Sequence, residues 1–261
     1  MPTIRINDVD LHYEEHGSGP EPIVFEHGFL LSSKIWQEWY FPRLPDEYHA
    51  YALDLRGHGG SHRVKHGCNL VQLADDLHQF ALHLGFASFL YVGVSMGGGV
   101  GIQLALNHPE VLKGMVLMNG VTGLGPLGHP LALMLFRWMA GKRRLLAMML
   151  KSAFVRRPSD RTMQLLVDDA MLVTKETLRD WTGRDNRMQH LDRLPDVRVP
   201  TLVIIGGEDK VVPADWQHRL AATLPNAEKV VFDGEGHLLP AELPEDVFAA
   251  MAGFLERCRP K

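Results

Sequence analysis

The first residue with an evident chemical use is a serine set between an apolar segment and a run of glycines. Ser95 is the central residue of Gly93-Val94-Ser95-Met96-Gly97, which fits the pattern G-x-S-x-G. In a sharp turn from strand to helix, side chains two residues before and after the serine would collide with the bend. Glycine otherwise costs roughly 0.5–1 kcal/mol relative to alanine. The pattern therefore predicts a turn that presents the Ser95 hydroxyl as a nucleophile.

Two further residues are expected to activate this serine. A serine hydroxyl is a poor nucleophile at neutral pH unless a base takes its proton and a third group orients the base. Among 14 histidines, His237 lies in a glycine-rich loop after the last predicted strand, and Asp209 follows the strand before it. Ligands of open α/β sheets bind beyond the carboxyl ends of strands. We therefore expect His237 to act as the base and Asp209 to orient it.

Two backbone amides are expected to bind the negative charge that forms when a serine attacks a carbonyl. The amide of Met96 would begin the helix after Ser95 and point at the developing charge. A second amide should come from the loop after the apolar segment 23–25, where His27-Gly28-Phe29 lies, and we assign it to Phe29. Losing one such donor typically costs about 2.7–4 kcal/mol of barrier. These residues together predict acyl-transfer chemistry.

The elements that must position these residues alternate along most of the chain. Strands are predicted at residues 3–6, 9–13, 22–25, 49–54, 89–94, 112–118, 200–205 and 227–232, and helices at residues 33–44, 70–84, 99–107 and 244–257. Continuous apolar strands joined by helices are typical of a mostly parallel sheet covered on both faces. Between residues 123 and 194 the pattern is mainly helical. The sequence thus predicts an α/β core in two parts, 1–122 and 195–261, separated by a helical insertion at 123–194.

Composition limits the classes of partner. The chain has 261 residues, is 46% hydrophobic and carries a net charge of −4, so neither a nucleic acid nor an anionic membrane is indicated. The first residues lack the basic and apolar regions of a signal peptide, and no segment approaches about 18 uninterrupted apolar residues. We therefore expect a cytoplasmic protein without a membrane span. No metal-ligand spacing or dinucleotide fingerprint is present, and neither a metal nor a cofactor is expected.

The sequence resembles the α/β-hydrolase fold family, in the branch with a serine nucleophile. The resemblance rests on five segments outside the insertion, namely 27–29, 54–61, 93–98, 207–213 and 236–237. It implies the chain order nucleophile, acid, base, which Ser95, Asp209 and His237 follow. It also implies that the insertion is a cap over the active site. Some family members place the acid after the sixth strand, but Asn119-Gly120-Val121 offers no carboxylate there.

The resemblance implies a cofactor-independent serine hydrolase that cleaves a carboxylic ester or lactone through an acyl-enzyme. The turn around Ser95 is similar to those of 3-oxoadipate enol-lactonases and small esterases. The expected partner is a small molecule with an apolar portion. Carbon–carbon bond hydrolases, perhydrolases and lyases use the same three residues, and some family members are small-molecule receptors. A fold does not fix the substrate, so these alternatives stay open.

Several other residues have two possible roles. Glu26 replaces an apolar residue common in the family, and it is either a carboxylate held by local hydrogen bonds or a charge that tunes the pocket. Gly141–Arg144 is either a solvated cap surface or a site that attracts an acidic substrate. We expect scaffold roles for His27, Asp54, Arg56 and His58. We expect cap packing, with some pocket lining, for Met134, Met139, Met148, Met149, Met163, Met171 and Met188.

Overall fold

The computed structural model describes residues 2–121, 130–183 and 192–259. Its sheet has eight strands in the order β1-β2-β4-β3-β5-β6-β7-β8. The strands are β1 Thr3–Ile6, β2 Val9–Gly17, β3 Glu21–Glu26, β4 Tyr48–Leu53, β5 Phe89–Val94, β6 Leu112–Met118, β7 Thr201–Gly206 and β8 Ala227–Phe232. The pairs β1–β2 and β2–β4 are antiparallel and the others are parallel. The predicted mostly parallel sheet is confirmed.

Helices cover both faces of this sheet. They are α1 Lys34–Trp39, α2 Leu70–His83, α3 Met96–Asn107, α4 Pro130–Met139, α5 Arg143–Ser152, α6 Asp160–Leu172, α7 Lys175–Trp181, α8 Ala214–Thr223, α9 Leu239–Glu242 and α10 Pro244–Cys258. Alternate residues of β5 pack on opposite sides, because Tyr91 joins the core cluster that includes α2 and α3, and Val92 joins the one that includes α1 and α10. A strand buried on both faces reads as a continuous apolar run, which is why β5 was predictable.

Several boundaries differ from those predicted. Helix α3 begins at Met96 rather than at residue 99, because its first turn consists of glycines that carry no helical pattern. Helix α1 ends at Trp39, and a separate 3₁₀ turn covers Phe41–Arg43 around Pro42, which lacks the N–H needed to continue an α-helix. Strand β2 extends to Gly17. Helices α8 and α9 were not predicted, because proline stands directly before α8 at position 213 and inside the single turn of α9 at position 240.

The insertion is helical, with α4 to α7 among its described residues. Residue 123, where the insertion was predicted to begin, lies outside the described residues, as does Met188. The expectation of cap packing is wrong for Met134 and Met148, which are exposed, whereas Met139 and Met149 line a cavity. Within the described ranges, no helix is long and apolar enough to cross a membrane.

Candidate active site

The backbone of Ser95 turns sharply between β5 and α3. Ser95 has φ +53° and ψ −112°, in a region that residues other than glycine rarely adopt. Its N–H donates to the carbonyl of Met118 at 2.9 Å, and its carbonyl accepts from the N–H of Val121 at 3.0 Å. These bonds to the end of β6 fix the conformation, which places the Ser95 hydroxyl at the carboxyl edge of the sheet.

The glycines around Ser95 are required by close backbone approach. A Cβ atom on Gly93 would lie 2.6 Å from the carbonyl of Gly97, and one on Gly97 would lie 2.6 Å from the carbonyl oxygen of Glu26. A Cβ atom on Gly98 would lie 2.6 Å from the Cα of Gly120. These distances are too short for any other residue, so the turn predicted from G-x-S-x-G is possible only with glycine at these positions.

The structure brings Ser95, His237 and Asp209 into one hydrogen-bonded chain. His237 Nε2 lies 3.0 Å from Ser95 Oγ, and His237 Nδ1 lies 2.7 Å from Asp209 Oδ2. Both His237 and Asp209 are buried. An ionised carboxylate can only accept hydrogen bonds, so Nδ1 carries the ring proton and Nε2 is left to accept the proton of the serine hydroxyl.

Asp209 is held in place by the backbone that follows it. Its second oxygen, Oδ1, accepts hydrogen bonds from the N–H groups of Val211 at 2.7 Å and Val212 at 2.8 Å. The carboxylate therefore has a fixed orientation toward His237 and no freedom to swing into solvent.

The loop after β3 lies against Ser95. A Cβ atom on Gly28 would lie 3.1 Å from the Cβ of Ser95, so Phe29, the next residue, begins beside the serine. Among the described residues, the N–H groups of Phe29 and Met96 donate to no protein acceptor. Met96 is the first residue of α3, where N–H groups have no partner within the helix. Both amides are thus available to a ligand at Ser95.

His27 supports this loop from below. It is fully buried, and burial lowers its pKa, so the ring is neutral. Its Nε2 accepts from the N–H of Leu55 at 3.1 Å, which leaves Nδ1 to donate to the carbonyl of Gly28 at 2.8 Å. The ring therefore joins the Phe29 loop to the loop after β4, in the scaffold role expected from the sequence.

Two other expected scaffold residues form buried networks beside His27. The Asp54 carboxylate accepts from the N–H groups of Ser33 and Gly60 at 2.6 and 2.7 Å, and it contacts His12 Nδ1 at 2.8 Å. Burial alone would raise the pKa of Asp54, but these bonds outweigh it and hold the pKa well below its ordinary value. Arg56 pairs through two nitrogens with buried Asp76, at 2.5 and 2.7 Å.

Asn119, which is not among the residues predicted for the site, positions the His237 loop. Its Nδ2 donates to the carbonyl oxygens of Gly236 and His237, both at 3.0 Å, and its Oδ1 accepts from the N–H of Gly206 at 2.8 Å. Asn119 is fully buried and has φ +45°. A polar residue directly after the apolar strand β6, at the same sheet edge as Ser95, was the available signal.

Glu242 and Glu235 join the His237 loop to the insertion. Glu242 accepts from the N–H groups of Val155 at 2.6 Å and Gly236 at 2.9 Å. Burial raises the pKa of Glu242. Buried Glu235 forms an ion pair with Arg156. The segment that follows α5 is therefore attached to the loop that carries His237, a connection that the sequence pattern does not reveal.

A third connection joins the insertion to the Phe29 loop. Asp169 of α6 is fully buried and accepts from Ser32 Oγ at 2.5 Å and from Lys34 Nζ at 2.7 Å. Ser32 and Lys34 come shortly after Phe29 at the start of α1. The insertion thus contacts both loops that flank Ser95.

A cavity of about 350 Å³ opens at Ser95 and His237. Side chains of both the core and the insertion line it, and most of them are apolar: Phe29, Leu30, Leu31, Val121, Leu133, Leu135, Phe136, Met139, Met149, Leu150, Ala153, Trp181, Val211 and Leu238. Its other polar side chains are Ser152, Thr182 and Lys210. The lining suits a ligand that is mainly apolar with a few polar atoms near Ser95.

One wall of the cavity is aromatic. The ring of Phe29 stacks on that of Trp181, with centroids 5.4 Å apart and planes at 15°, and meets Phe136 edge-on at 5.9 Å. Arg137 holds this wall from outside, because its Nε donates to Thr182 Oγ1 at 2.8 Å, next to Trp181. The residue assigned as an amide donor thus also provides a flat apolar surface beside the serine.

Glu26 lies beneath the Ser95 turn and outside the cavity lining. The Tyr91 hydroxyl is 2.5 Å from the carbonyl oxygen of Gly97 and 3.1 Å from Glu26 Oε2. Burial raises the pKa of Glu26 well above its ordinary value, which favours the neutral carboxyl group. The Tyr91 hydroxyl thus lies within donating distance of two buried acceptors, the Gly97 carbonyl and the Glu26 carboxyl group. This favours the local hydrogen-bonding role and argues against a charge in the pocket.

Among the described residues, one group away from the cavity combines possible metal ligands. Donor atoms of His78, His108 and Glu110 lie within 4.8 Å of one another. The two imidazole rings stack with centroids 3.7 Å apart and planes at 15°. Lone pairs lie in the ring planes, so those of stacked rings run side by side and do not converge on one ion. This arrangement gives the group no metal-binding geometry.

Comparison with known proteins adds independent observations. The family model described as the alpha/beta hydrolase fold matches residues 21–242. A thermophilic esterase from Thermogutta terrifontis is 26% identical, with a TM-score of 0.85 over all of both chains. An enzyme that degrades N-acyl homoserine lactones is 27% identical, with a TM-score of 0.82 over 97% of this chain and all of the other. A non-heme haloperoxidase from Rhodococcus erythropolis is 28% identical over 98% of this chain and 100% of its own.

Proposed function

This chain belongs to the alpha/beta hydrolase fold family, and from that premise we propose that it is a cofactor-independent serine hydrolase that cleaves a carboxylic ester or a lactone. The observation that carries this proposal is the chain from Asp209 through His237 to Ser95, at the mouth of an apolar cavity. A strained serine, a base within 3.0 Å and a buried carboxylate behind the base are what nucleophilic acyl transfer requires.

In the first half of the reaction, Ser95 Oγ attacks the substrate carbonyl carbon while His237 Nε2 takes the serine proton. The carbonyl electron pair moves onto oxygen, and the N–H groups of Phe29 and Met96 stabilise that negative charge. When the tetrahedral intermediate collapses, the bond to the alcohol oxygen breaks and His237 returns its proton to this oxygen. The alcohol leaves, and the acyl group stays on Ser95.

In the second half, water replaces the alcohol. His237 takes a proton from water, the oxygen attacks the acyl carbon, and the bond to Ser95 Oγ breaks with return of the proton to serine. Asp209 stays ionised and stabilises the imidazolium in both halves. For a lactone, the ring opens in the first half, when the bond to the alcohol oxygen breaks; the alcohol stays attached to the acyl group, and water then releases a hydroxy acid from Ser95.

The substrate class follows from the cavity and from the relatives. A cavity of about 350 Å³ takes a small molecule, and its lining favours an apolar acyl portion. The aromatic wall of Phe29, Phe136 and Trp181 favours a flat one. The esterase and lactone-degrading relatives support the ester and lactone classes. We also propose that residues 123–194 act as a cap, since α4, α5 and α7 supply cavity residues.

A second candidate reaction is peroxide-dependent. The similarity to the non-heme haloperoxidase covers that protein's whole length. This similarity favours a perhydrolase, in which hydrogen peroxide instead of water attacks the acyl-enzyme. The product would be a peroxy acid that oxidises halide. Halide oxidation in acetate buffer with peroxide would identify this activity, and its dependence on Ser95 would assign it to the same site.

The proposal is tested by hydrolysis of p-nitrophenyl esters from acetate to decanoate. Ser95→Ala should remove catalysis, whereas Ser152→Ala, which alters another serine of the same cavity, should keep most of it. Loss of a triad nucleophile typically leaves only the residual rate, about 10³–10⁴ over water, that binding and the amides provide. If a folded wild-type protein hydrolyses no ester or lactone faster than Ser95→Ala does, the serine hydrolase proposal fails.

A further inference from the structure

Helix α4 exposes an apolar face, which we call the α4 stripe and which consists of Leu131, Met134, Leu135 and Trp138. These residues follow the i, i+3, i+4, i+7 spacing of one helix face. Each is 55–64% exposed to solvent. Soluble proteins rarely keep several large apolar side chains together in water, and patches of this kind mark interaction surfaces.

The same helix is also apolar on the side that faces the protein. Leu133, Phe136 and Met139 line the cavity, and Leu135 belongs both to the α4 stripe and to the cavity lining. Arg137 is the one charged residue of α4. A helix that is apolar around most of its circumference is expected to be buried on every side. Here one side is exposed and reaches the mouth of the cavity at Leu135.

The chain segment that carries the α4 stripe is strongly basic. Residues 130–159 contain no Asp or Glu and seven basic residues, namely Arg137, Lys142, Arg143, Arg144, Lys151, Arg156 and Arg157. The rest of the chain then holds 20 Lys and Arg against 31 Asp and Glu. The net charge of −4, from which no anionic-membrane partner was expected, hides this local excess of positive charge.

A basic residue contacts the end of the α4 stripe directly. Lys142 Nζ lies 3.3 Å from the centroid of the Trp138 ring, a cation–π contact at an exposed site. Arg143 pairs with Asp168 of α6, at 2.6 Å. Tryptophan and basic residues side by side are typical of segments at the headgroup level of a membrane, where the ring contacts acyl chains and the cation contacts phosphate.

We propose that the α4 stripe docks on an anionic lipid surface, with its apolar side chains in the outer acyl region and Lys142 and Arg144 against the headgroup phosphates. A second copy of this chain fits less well. A two-fold contact between two α4 stripes would bring Lys142 and Arg144 of both copies together without acidic partners from residues 130–159. An anionic lipid surface is complementary both to the apolar face and to the charge around it.

Docking would place the mouth of the cavity at the lipid surface, because Leu135 belongs both to the α4 stripe and to the cavity lining. This consequence rests on the proposed function. It predicts that the protein hydrolyses amphiphilic esters within a lipid aggregate, such as a vesicle, in preference to the same esters in solution. The docking itself does not depend on the chemistry of Ser95. Docking is therefore tested with Ser95→Ala protein, because its binding to vesicles is measured independently of whether Ser95 is a nucleophile.

The experiment measures sedimentation of Ser95→Ala protein with vesicles of phosphatidylcholine, with and without phosphatidylglycerol. We expect binding to the anionic vesicles that weakens as salt is added. Adding Met134→Ser and Trp138→Ser, neither of which lines the cavity, should weaken binding by about tenfold or more, because less apolar area is buried. Adding Lys142→Gln and Arg144→Gln instead should weaken it about 30-fold, at about 1 kcal/mol per basic residue.

Matched controls change exposed apolar and basic residues outside the α4 stripe. Val71→Ser with Leu82→Ser replaces apolar residues of α2 that are 51% and 52% exposed, and Lys65→Gln with Lys175→Gln removes two exposed charges. Both pairs should leave binding unchanged. Equal binding to neutral and anionic vesicles, no binding at all, or equal losses in the control pairs would overturn the proposal. A dimer in light scattering that Met134→Ser and Trp138→Ser convert to monomer, without vesicle binding, would assign the stripe to a second copy instead.

Discussion

The backbone N–H of His237 donates a hydrogen bond to the carbonyl oxygen of Ala153, at a distance of 2.9 Å. Ala153 follows α5 in the insertion and lines the cavity, whereas His237 lies in the core. The residue that we propose as the base is therefore held partly by the insertion. Activity should depend on contacts between the two parts as well as on Ser95, His237 and Asp209 themselves.

Asn119→Ala should lower kcat without abolishing folding. The change removes two bonds to the carbonyl oxygens of Gly236 and His237 and leaves the Gly206 N–H unpaired. An unsatisfied buried group costs about 1–3 kcal/mol, so the free energy of unfolding should fall by a similar amount. We expect kcat to fall about 10-fold or more, because small misplacement of a catalytic group is costly.

The control for Asn119→Ala is Asn107→Ala, which truncates an exposed asparagine that accepts from Gln103 at the end of α3. Ester hydrolysis and urea unfolding measure the two quantities. If Asn119→Ala lost stability but kept the wild-type kcat, the positioning role of Asn119 would be wrong.

Glu242→Gln should weaken the connection between the insertion and the His237 loop. A carboxylate accepts from Val155 and Gly236 at once, whereas an amide nitrogen cannot accept, so one of these N–H groups loses its partner. We expect kcat to fall several-fold, with a smaller change in KM. Glu245→Gln, which alters the exposed carboxylate that pairs with Arg43, is the matched control. Identical kinetics for the two variants would contradict this role.

The sequence predicted the Ser95 site better than it predicted what supports the site. The turn at Ser95 leaves no room for a side chain at Gly93 or Gly97, so the spacing of these glycines in the sequence predicts the turn directly. Asp209 and His237 follow predicted parallel strands, so their meeting at one sheet edge followed from the strand pattern. In each case the signal lay within a few residues of the side chain concerned.

The supporting bonds could not be predicted in this way, because they join segments that are distant in sequence. Glu242 and Val155 are 87 residues apart, and Ser32 and Asp169 are 137 apart. No periodicity links such pairs. For Met134 and Met148 the sequence predicted a contact that is absent: their apolar side chains were expected to be buried in the cap, but both are exposed.

Glu26→Gln should change the pH dependence of stability. The pKa of Glu26 is raised above its ordinary value of 4.5, so above this pH the folded state binds more protons than the unfolded state. The contribution of the protonated Glu26 carboxyl to the free energy of unfolding is therefore fully present below pH 4.5. It is lost as pH rises through the pKa of Glu26 in the folded state. The glutamine amide of the variant keeps an oxygen that accepts from Tyr91 and does not titrate, so the variant should gain stability relative to wild type as pH rises.

The expected slope of this difference is at most about 1.4 kcal/mol per pH unit within the titration range. Urea unfolding from about pH 5 to pH 8 measures it, over the range where stability is usually greatest. Glu110→Gln, at an exposed carboxylate, serves as the control. Parallel stability curves for wild type and Glu26→Gln would show that Glu26 is ionised in the folded state.

Trp181→Ala should change the choice of substrate. The ring of Trp181 stacks on Phe29 and lines the cavity, so its loss removes a flat surface for an aromatic acyl group. We expect KM for p-nitrophenyl benzoate to rise about tenfold, which corresponds to about 1.4 kcal/mol, with little change for the acetate. Trp138→Ala is the control, because that ring does not line the cavity. Equal effects on both esters would contradict an aromatic acyl site.

The most direct test of the central claim is covalent trapping of the nucleophile. The protein would be treated with diethyl p-nitrophenyl phosphate, and the modified peptide would be located by mass spectrometry. We predict one diethylphosphoryl group, on Ser95, in proportion to the loss of esterase activity, and slow labelling in His237→Gln. Stoichiometric labelling of Ser152 instead, or full inactivation with Ser95 unmodified, would contradict the assignment of Ser95 as the nucleophile.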